Sequence, residues 1–237
     1  MEFLPYSPDD KLPALRENHV HILTIDVRNT VQLCPALQGI LTKDEQLKAD
    51  SFRFAEDRNR FVAARGLLRK VLGTYLGTNA EHVLLRTTAN GKPELDACHS
   101  GTLPIRFNVS HSGNVALLAL TLGRSVGVDV EQVRDICEIN QLVKLFFSEN
   151  ERQQYKKLPH AERLTAFYRC WTGKESFVKA IGEGLSHSLE SFDIVYMPGT
   201  SPCILSVRDN DLPSASRWHL EIRTPIPGYI GACTLCP

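Results

Sequence analysis

Three things are scarce in this sequence, and each scarcity narrows what the chain can be. Long apolar runs are missing. The longest, Val115 to Leu122, falls far short of the roughly 20 residues that span a bilayer and reads as a buried strand. Charge of one sign is missing too: across 237 residues lysine plus arginine equals aspartate plus glutamate. A protein whose main task is gripping a phosphate backbone needs a basic surplus, so neither nucleic acid nor membrane is an expected partner. Paired cysteines are the third lack. The seven cysteines are odd in number and scattered, in a chain longer than the small disulfide-stapled frameworks. Reduced thiols in a cytoplasm are expected. Cys233 and Cys236 make a lone CxxC with no second pair, a thin basis for a zinc or redox site. The first twenty residues, interrupted by proline and charge, lack the apolar stretch of a signal peptide. No low-complexity tract and no repeat at solenoid periods is present.

What is present is an ordinary globular composition, enough for one large domain or two small ones. His19 to Arg28 alternates and is rich in β-formers, which predicts an early strand. Thr42 followed by Glu45 is a capping box that opens a long helical stretch, broken near Phe52 to Phe54 and ended by Gly77. Basic residues outnumber acidic ones in that stretch, which by itself fits a solvated helix face. A short β segment at Val83 to Arg86 leads into a turn at Asn90-Gly91. Three strands follow, at Ile105 to Val109, Val115 to Leu122 and Val126 to Val130, the first two joined by a turn over Ser110 to Asn114. Helices are expected at Leu142 to Lys157 and Ala161 to Ile181, then strands at Ser191 to Tyr196, Cys203 to Val207, Trp218 to Arg223 and Tyr229 to Leu235. The order predicts an α+β protein of two comparable halves, residues 1–122 and 123–237.

Three constellations could carry chemistry. In Ser125 to Glu131 the strand period sends Val126, Val128 and Val130 to one face and Gly127, Asp129 and Glu131 to the other. Two carboxylates about 7 Å apart along a strand repel unless a cation or proton sits between them, and hard oxygen ligands suit Mg²⁺ or Ca²⁺. Gly127 is expected to leave room for a ligand. An exposed strand face with two solvated acids fits the same residues. In the helix from Phe167 to Ile181, Glu175 and Lys179 are i,i+4 neighbours one turn beyond Trp171. That pair is either a surface ion pair or a site, and its face also carries Tyr168, so it is not simply hydrophilic. Gly173 within the helix suggests close packing. In Phe107 to Gly113 the segment Ser110-His111-Ser112 offers hydroxyls, an imidazole and backbone N–H groups to an anion. A structural turn with a lone histidine fits equally well. A Ser-His nucleophile does not, because adjacent residues rarely aim at each other and no GxSxG elbow is present.

Taken in order, Gly91-Lys92-Pro93, Phe107 to Gly113, Gly127 to Glu131, Phe167 to Lys179 and Gly182 to Leu185 resemble the motifs of the Sfp-type 4′-phosphopantetheinyl transferases. The resemblance covers roughly residues 42 to 196. It implies the 4′-phosphopantetheinyl transferase fold, two similar α/β halves related by a pseudo-twofold axis in one monomer. It also implies transfer of phosphopantetheine from coenzyme A to a serine of an apo acyl or peptidyl carrier protein, with release of 3′,5′-ADP. Asp129, Glu131 and Glu175 would hold Mg²⁺, with Mn²⁺ as an alternative. Glu175 would take the serine proton and Lys179 would stabilise the leaving group. Lys48, Gly91, Lys92, Pro93, Ser110, His111 and Lys174 would contact the cofactor, and the stretch Leu145-Phe146-Phe147 would receive the carrier. Two other readings remain, a metal-dependent diphosphate hydrolase and a coenzyme-A-binding carrier-protein partner without catalysis.

Overall fold

The computed structural model describes residues 1–99, 104–184, 187–209 and 211–237. In the first half, strands β1 (Glu2–Pro5) and β2 (His21–Asp26) precede α1 (Cys34–Gly39), α2 (Lys43–Asp50) and α3 (Ala55–Leu76). The hairpin β3 (Leu85–Thr87) and β4 (Pro93–Leu95) then leads to β5 (Ile105–Ser112) and β6 (Val115–Leu122). The second half repeats the plan. Strand β7 (Val126–Gln132) is followed by α4 (Ile139–Phe146), α5 (Glu149–Lys157) and α6 (His160–Ile181). The hairpin β8 (Phe192–Val195) and β9 (Cys203–Val207) and the pair β10 (His219–Arg223) and β11 (Tyr229–Leu235) complete it. Sheet orders are β1-β2-β6-β5 and β10-β11-β7. Apart from β1 the halves correspond strand for strand, as the α+β, pseudo-symmetric fold requires.

The two sheets face each other across Ile22, Leu117, Ala119, Val126, Val128, Val130 and Cys233. Helix α3 covers the outer face of the first sheet through Leu68, Val71 and Leu72, and α6 covers the second through Ala166, Cys170, Phe177 and Val178. The valine face of β7 is therefore core, as its alternation predicts. Both long helices end at a left-handed glycine, Gly77 (φ 66°) and Gly182 (φ 83°), a geometry that costs a side-chain-bearing residue strain.

The sequence reading departs from the structure at several points. Leu142 to Lys157 is two helices, because Ser148 and Glu151 form a capping box that restarts the chain after Phe147. Strand β5 runs on through Ser112, so the expected turn over Ser110 to Asn114 shrinks to Gly113 and Asn114. Strand β1, which pairs parallel with β2, and helix α1 were not expected. Leu185 lies outside the described residues. Among those residues no helix is long and apolar enough to cross a membrane.

Gly127 corrects a further expectation. Its missing side chain makes room for α6 and not for a ligand: an added Cβ would lie 2.0 Å from Ser176 O and 2.3 Å from Ala180 N. Gly127→Ala is accordingly expected to lower the denaturant midpoint by an amount equivalent to about 3 kcal/mol, at the upper end for overpacking. A midpoint unchanged within error would mean that α6 does not pack this closely on β7. Gly173 packs tightly too, its missing Cβ facing Ile194 Cδ1 at 2.6 Å.

Candidate active site

The open edges of the two sheets, β5 and β7, lie side by side without a backbone ladder. Side chains replace it. Asn108 Oδ1 accepts from Val128 N (2.8 Å), Ser110 Oγ from Val130 N (3.3 Å) and Ser112 Oγ from Gln132 N (3.1 Å). Three residues at strand period 2 thus satisfy three edge N–H groups that burial would otherwise leave costly. The two serines also donate, Ser110 to Asp129 Oδ1 (2.9 Å) and Ser112 to Glu131 Oε2 (2.7 Å).

Helix α6 closes the site from the other side. Lys179 Nζ donates to Asp129 Oδ1 (2.6 Å) and Ser110 Oγ (3.1 Å). Glu175, one turn earlier, is buried, as is Asp129. Burial pushes the Glu175 carboxyl above the usual range, the negative charges of Asp129 and Glu131 push it further, and Lys179 opposes them. Glu131 is also raised, by burial first; hydrogen bonds from Ser112 and Trp171 and the Lys179 cation oppose this, while Asp129 adds to it. Two buried oxygens, Asp129 Oδ2 and Glu175 Oε1, have no hydrogen-bond partner. Among the described residues no group of three or more His, Cys, Asp or Glu side chains is placed so that it could hold a metal ion. Asp129, Glu131 and Glu175 nevertheless offer only oxygen donors, two of them unpartnered. Such a set suits a hard cation that takes its remaining ligands from phosphate and water.

The other anticipated residues scatter. The Asn90–Pro93 turn caps α6: Asn90 Nδ2 donates to Gly182 O (2.9 Å) and Lys92 Nζ to Lys179 O (2.7 Å). Gly91 supplies the positive φ of 80° and Pro93 begins β4. Burial holds the Lys92 ammonium below its usual value, with Arg106 adding to the effect. Lys92 also lines a cavity with Glu94, His99, Arg106, Phe107 and Ser125. His111 is exposed on β5, its basicity reduced by desolvation of the ring and then by Lys179. Lys48 is exposed on α2 with its ammonium 5.4 Å over the Phe61 ring, and no ion pair ties it to the carboxylates.

Lys174 is a correction. It is wholly buried, and its ammonium is taken up by Leu189 O (2.6 Å), Phe192 O (2.8 Å) and Glu151 Oε2 (2.9 Å). An enclosed ammonium with every donor engaged cannot reach a cofactor. Phe147 is a second correction: it is fully buried among Tyr155, Phe167 and Tyr196. Of the anticipated landing stretch only Leu145 is well exposed, and Phe146 packs on Trp171 at 5.0 Å.

Sequence reasoning missed Asn108 and Ser112 as site-builders. The signal was available: three polar side chains at i, i+2 and i+4 of one strand share a face. It missed as well a chain from Glu183 Oε2 through His187 (2.8 Å) to Ser191 Oγ (2.9 Å). Those residues stand four apart, and the chain straps the segment between α6 and β8. The terminal CxxC divides between two cores, Cys233 facing one and Cys236 the other, and both thiols are free.

A family model described as the 4′-phosphopantetheinyl transferase superfamily matches residues 125–234, and one described as 4′-phosphopantetheinyl transferase, N-terminal, matches residues 30–122. The 4′-phosphopantetheinyl transferase HetI of Nostoc sp. is 37% identical over 221 residues, covering 92% of this chain and 88% of that protein. The L-aminoadipate-semialdehyde dehydrogenase-phosphopantetheinyl transferase of Xenopus laevis is 36% identical over 164 residues, covering 66% of this chain and 54% of that one. Among solved structures, a holo-(acyl-carrier-protein) synthase from Bacillus anthracis, in complex with CoA (3′,5′-ADP), aligns with 47% of this chain and 94% of its own. Its identity is 22% and its TM-score 0.39.

Proposed function

Because the chain belongs to the 4′-phosphopantetheinyl transferase superfamily, we propose that it transfers phosphopantetheine from coenzyme A to a serine of an apo acyl or peptidyl carrier protein. The observation that carries this reading is the meeting of Asp129, Glu131 and Glu175 beside Lys179, with two buried carboxylate oxygens unpartnered. Attack at a diphosphate demands positioning and charge neutralisation more than covalent help from the enzyme. Asp129, Glu131 and Glu175 would hold Mg²⁺, or Mn²⁺ in its place, which when bound neutralises a diphosphate.

The chain's own groups do the rest. Glu175 accepts the proton of the incoming serine, directly or through one water. Lys179, already beside the carboxylates, offsets the charge that develops on the departing 3′,5′-ADP. Ser110 fixes Asp129 and Lys179 in one geometry. Lys92, Gly91 and Pro93 shape the wall beside α6 on which coenzyme A rests, with His111 and Lys48 as further phosphate contacts. Leu145, exposed on α4, receives the carrier. Residues 1–122 and 123–237 form the two halves, with the left-handed Gly123 (φ 71°) as the joint. The protein acts as a cytoplasmic monomer.

The test is to incubate the protein with coenzyme A, Mg²⁺ and an apo carrier protein and to weigh the carrier. A mass gain equal to the phosphopantetheine arm, lost on chelation, is expected. Free phosphopantetheine with unmodified carrier would instead mark a hydrolase, and no product at all a binding partner.

A further inference from the structure

Ser110 and Ser112 make the same two-part contact one strand period apart, and only one of them touches Lys179. Ser112 Oγ accepts a hydrogen bond from Gln132 N at 3.1 Å and lies 2.7 Å from Glu131 Oε2. A serine hydroxyl has a single proton. With the backbone N–H already pointing at the oxygen, that proton is directed to Glu131 Oε2. The contact therefore holds the Glu131 carboxylate in one orientation. The equivalent contact at Ser110 engages Asp129 Oδ1 and leaves Oδ2 without a partner. Each serine thus grips one oxygen of a carboxylate that belongs to the other half of the molecule.

We propose that Ser112 is a positioning residue: it locks the Glu131 carboxylate, across the seam between the halves, in the orientation that a divalent cation needs. The proposal rests on the metal-dependent reading above and extends it to a residue that is not one of the three carboxylates assigned to the cation. Groups that orient a metal-binding carboxylate in this way typically govern affinity by about 10-fold to 100-fold. Because the hydrogen bonds of Ser112 Oγ go to Glu131 and Gln132 and not to Glu175 or Lys179, its loss should weaken metal binding and leave the chemical step at saturating metal almost intact.

The experiment compares the full chain with Ser112→Ala and Ser112→Thr by two readouts. One is Mn²⁺ affinity, measured by electron paramagnetic resonance with and without coenzyme A. The other is the Mg²⁺ dependence of carrier modification. For Ser112→Ala we expect Mn²⁺ affinity and half-saturating Mg²⁺ to worsen by about tenfold or more, with kcat at saturating Mg²⁺ within about threefold of the parent. Ser112→Thr, which keeps the hydroxyl, restores both. Melting of the metal-free proteins separates positioning from fold: the affinity loss persists at temperatures where all three are fully folded. Unchanged Mn²⁺ affinity in Ser112→Ala overturns the proposal while leaving the metal reading intact, as does a threonine variant as weak as the alanine one. If the parent protein itself binds no Mn²⁺ in the presence of coenzyme A, the metal reading fails and this proposal falls with it.

Discussion

Lys174→Met is expected to destabilise the protein by about 3–5 kcal/mol, the cost of leaving one partner of a buried ion pair uncompensated. For a chain of this size that corresponds to a fall of roughly 10 °C in melting temperature. Lys174 ties α6 to α5 and to the segment that leads into β8. Its ammonium bonds Glu151 Oε2, Leu189 O and Phe192 O, and it lies 4.3 Å from the Phe192 ring centroid. Glu151 in turn caps α5 through Ser148 and accepts from Ile194 N at the start of the β8–β9 hairpin. Methionine fills most of the lysine's volume but strands the Glu151 carboxylate. Burial already raises that carboxyl above its usual range, against the opposing pull of Lys174. Adding Glu151→Gln to Lys174→Met should recover part of the loss, since no buried charge then remains. Turnover per folded molecule, at a temperature where the variant is native, should stay within a few-fold of the parent. A variant that melts normally but binds coenzyme A poorly would return Lys174 to the cofactor site.

Glu175→Gln should separate function from stability in the opposite direction. Carrier modification should fall by about 10²–10⁴, the range for loss of a positioned acid–base group. The metal-free protein should at the same time become more stable, by about 1 kcal/mol at neutral pH. The neutral amide removes a buried charge that Asp129 and Glu131 both repel. The pH dependence of that gain has a fixed sign. A carboxyl whose value is raised on folding holds its proton more tightly in the native state, so its contribution is most favourable at acid pH. That contribution is lost as pH climbs through the raised value. The stability difference between variant and parent should therefore be near zero below the ordinary carboxylate range and grow with pH above it. Paired denaturant titrations between about pH 4 and 8 would test this. A difference independent of pH would show that Glu175 is not repelled by its neighbours, and a loss of turnover under tenfold would remove it as the proton acceptor.

Most of the secondary structure could be read from local patterns because strands and capped helices announce themselves. Val126, Val128 and Val130 alternate with acids, and Thr42 with Glu45 marks a helix start. Spacing and residue type also brought forward Asp129, Glu131, Glu175 and Lys179 as candidates, with solvated acids and a surface ion pair left open until the family resemblance gave them roles. What could not be read depends on partners distant in sequence. Lys174 and Lys179 look interchangeable as cations on one helix, yet one is sealed against Glu151 and the other faces Asp129. Gly127 looks like a gap left for a ligand until α6 fills it. Ser112 reads as one more hydroxyl in a turn until β7 lies beside β5 and its bond to Glu131 comes into view. One long-range pattern was open to inspection. Thr42, Glu45, Arg69 and Gly77 are matched by Ser148, Glu151, Lys174 and Gly182 at an interval of about 105 residues. In each half the capping glutamate meets a cation from the long helix, Arg69 with Glu45 in the first and Lys174 with Glu151 in the second.

That correspondence gives β1 its meaning. Strand β2 occupies in the first half the place of β7 in the second, so the duplicated architecture offers two comparable margins on which a reaction centre could have been assembled. At the first margin β1 is already hydrogen-bonded to β2 along its length, and the helix position following Arg69 is Lys70 where its counterpart following Lys174 is Glu175. A cation there cannot join an acidic cluster. The two margins therefore differ in kind: the first is closed by a backbone ladder with β1, the second is met only by the side chains of Asn108, Ser110 and Ser112.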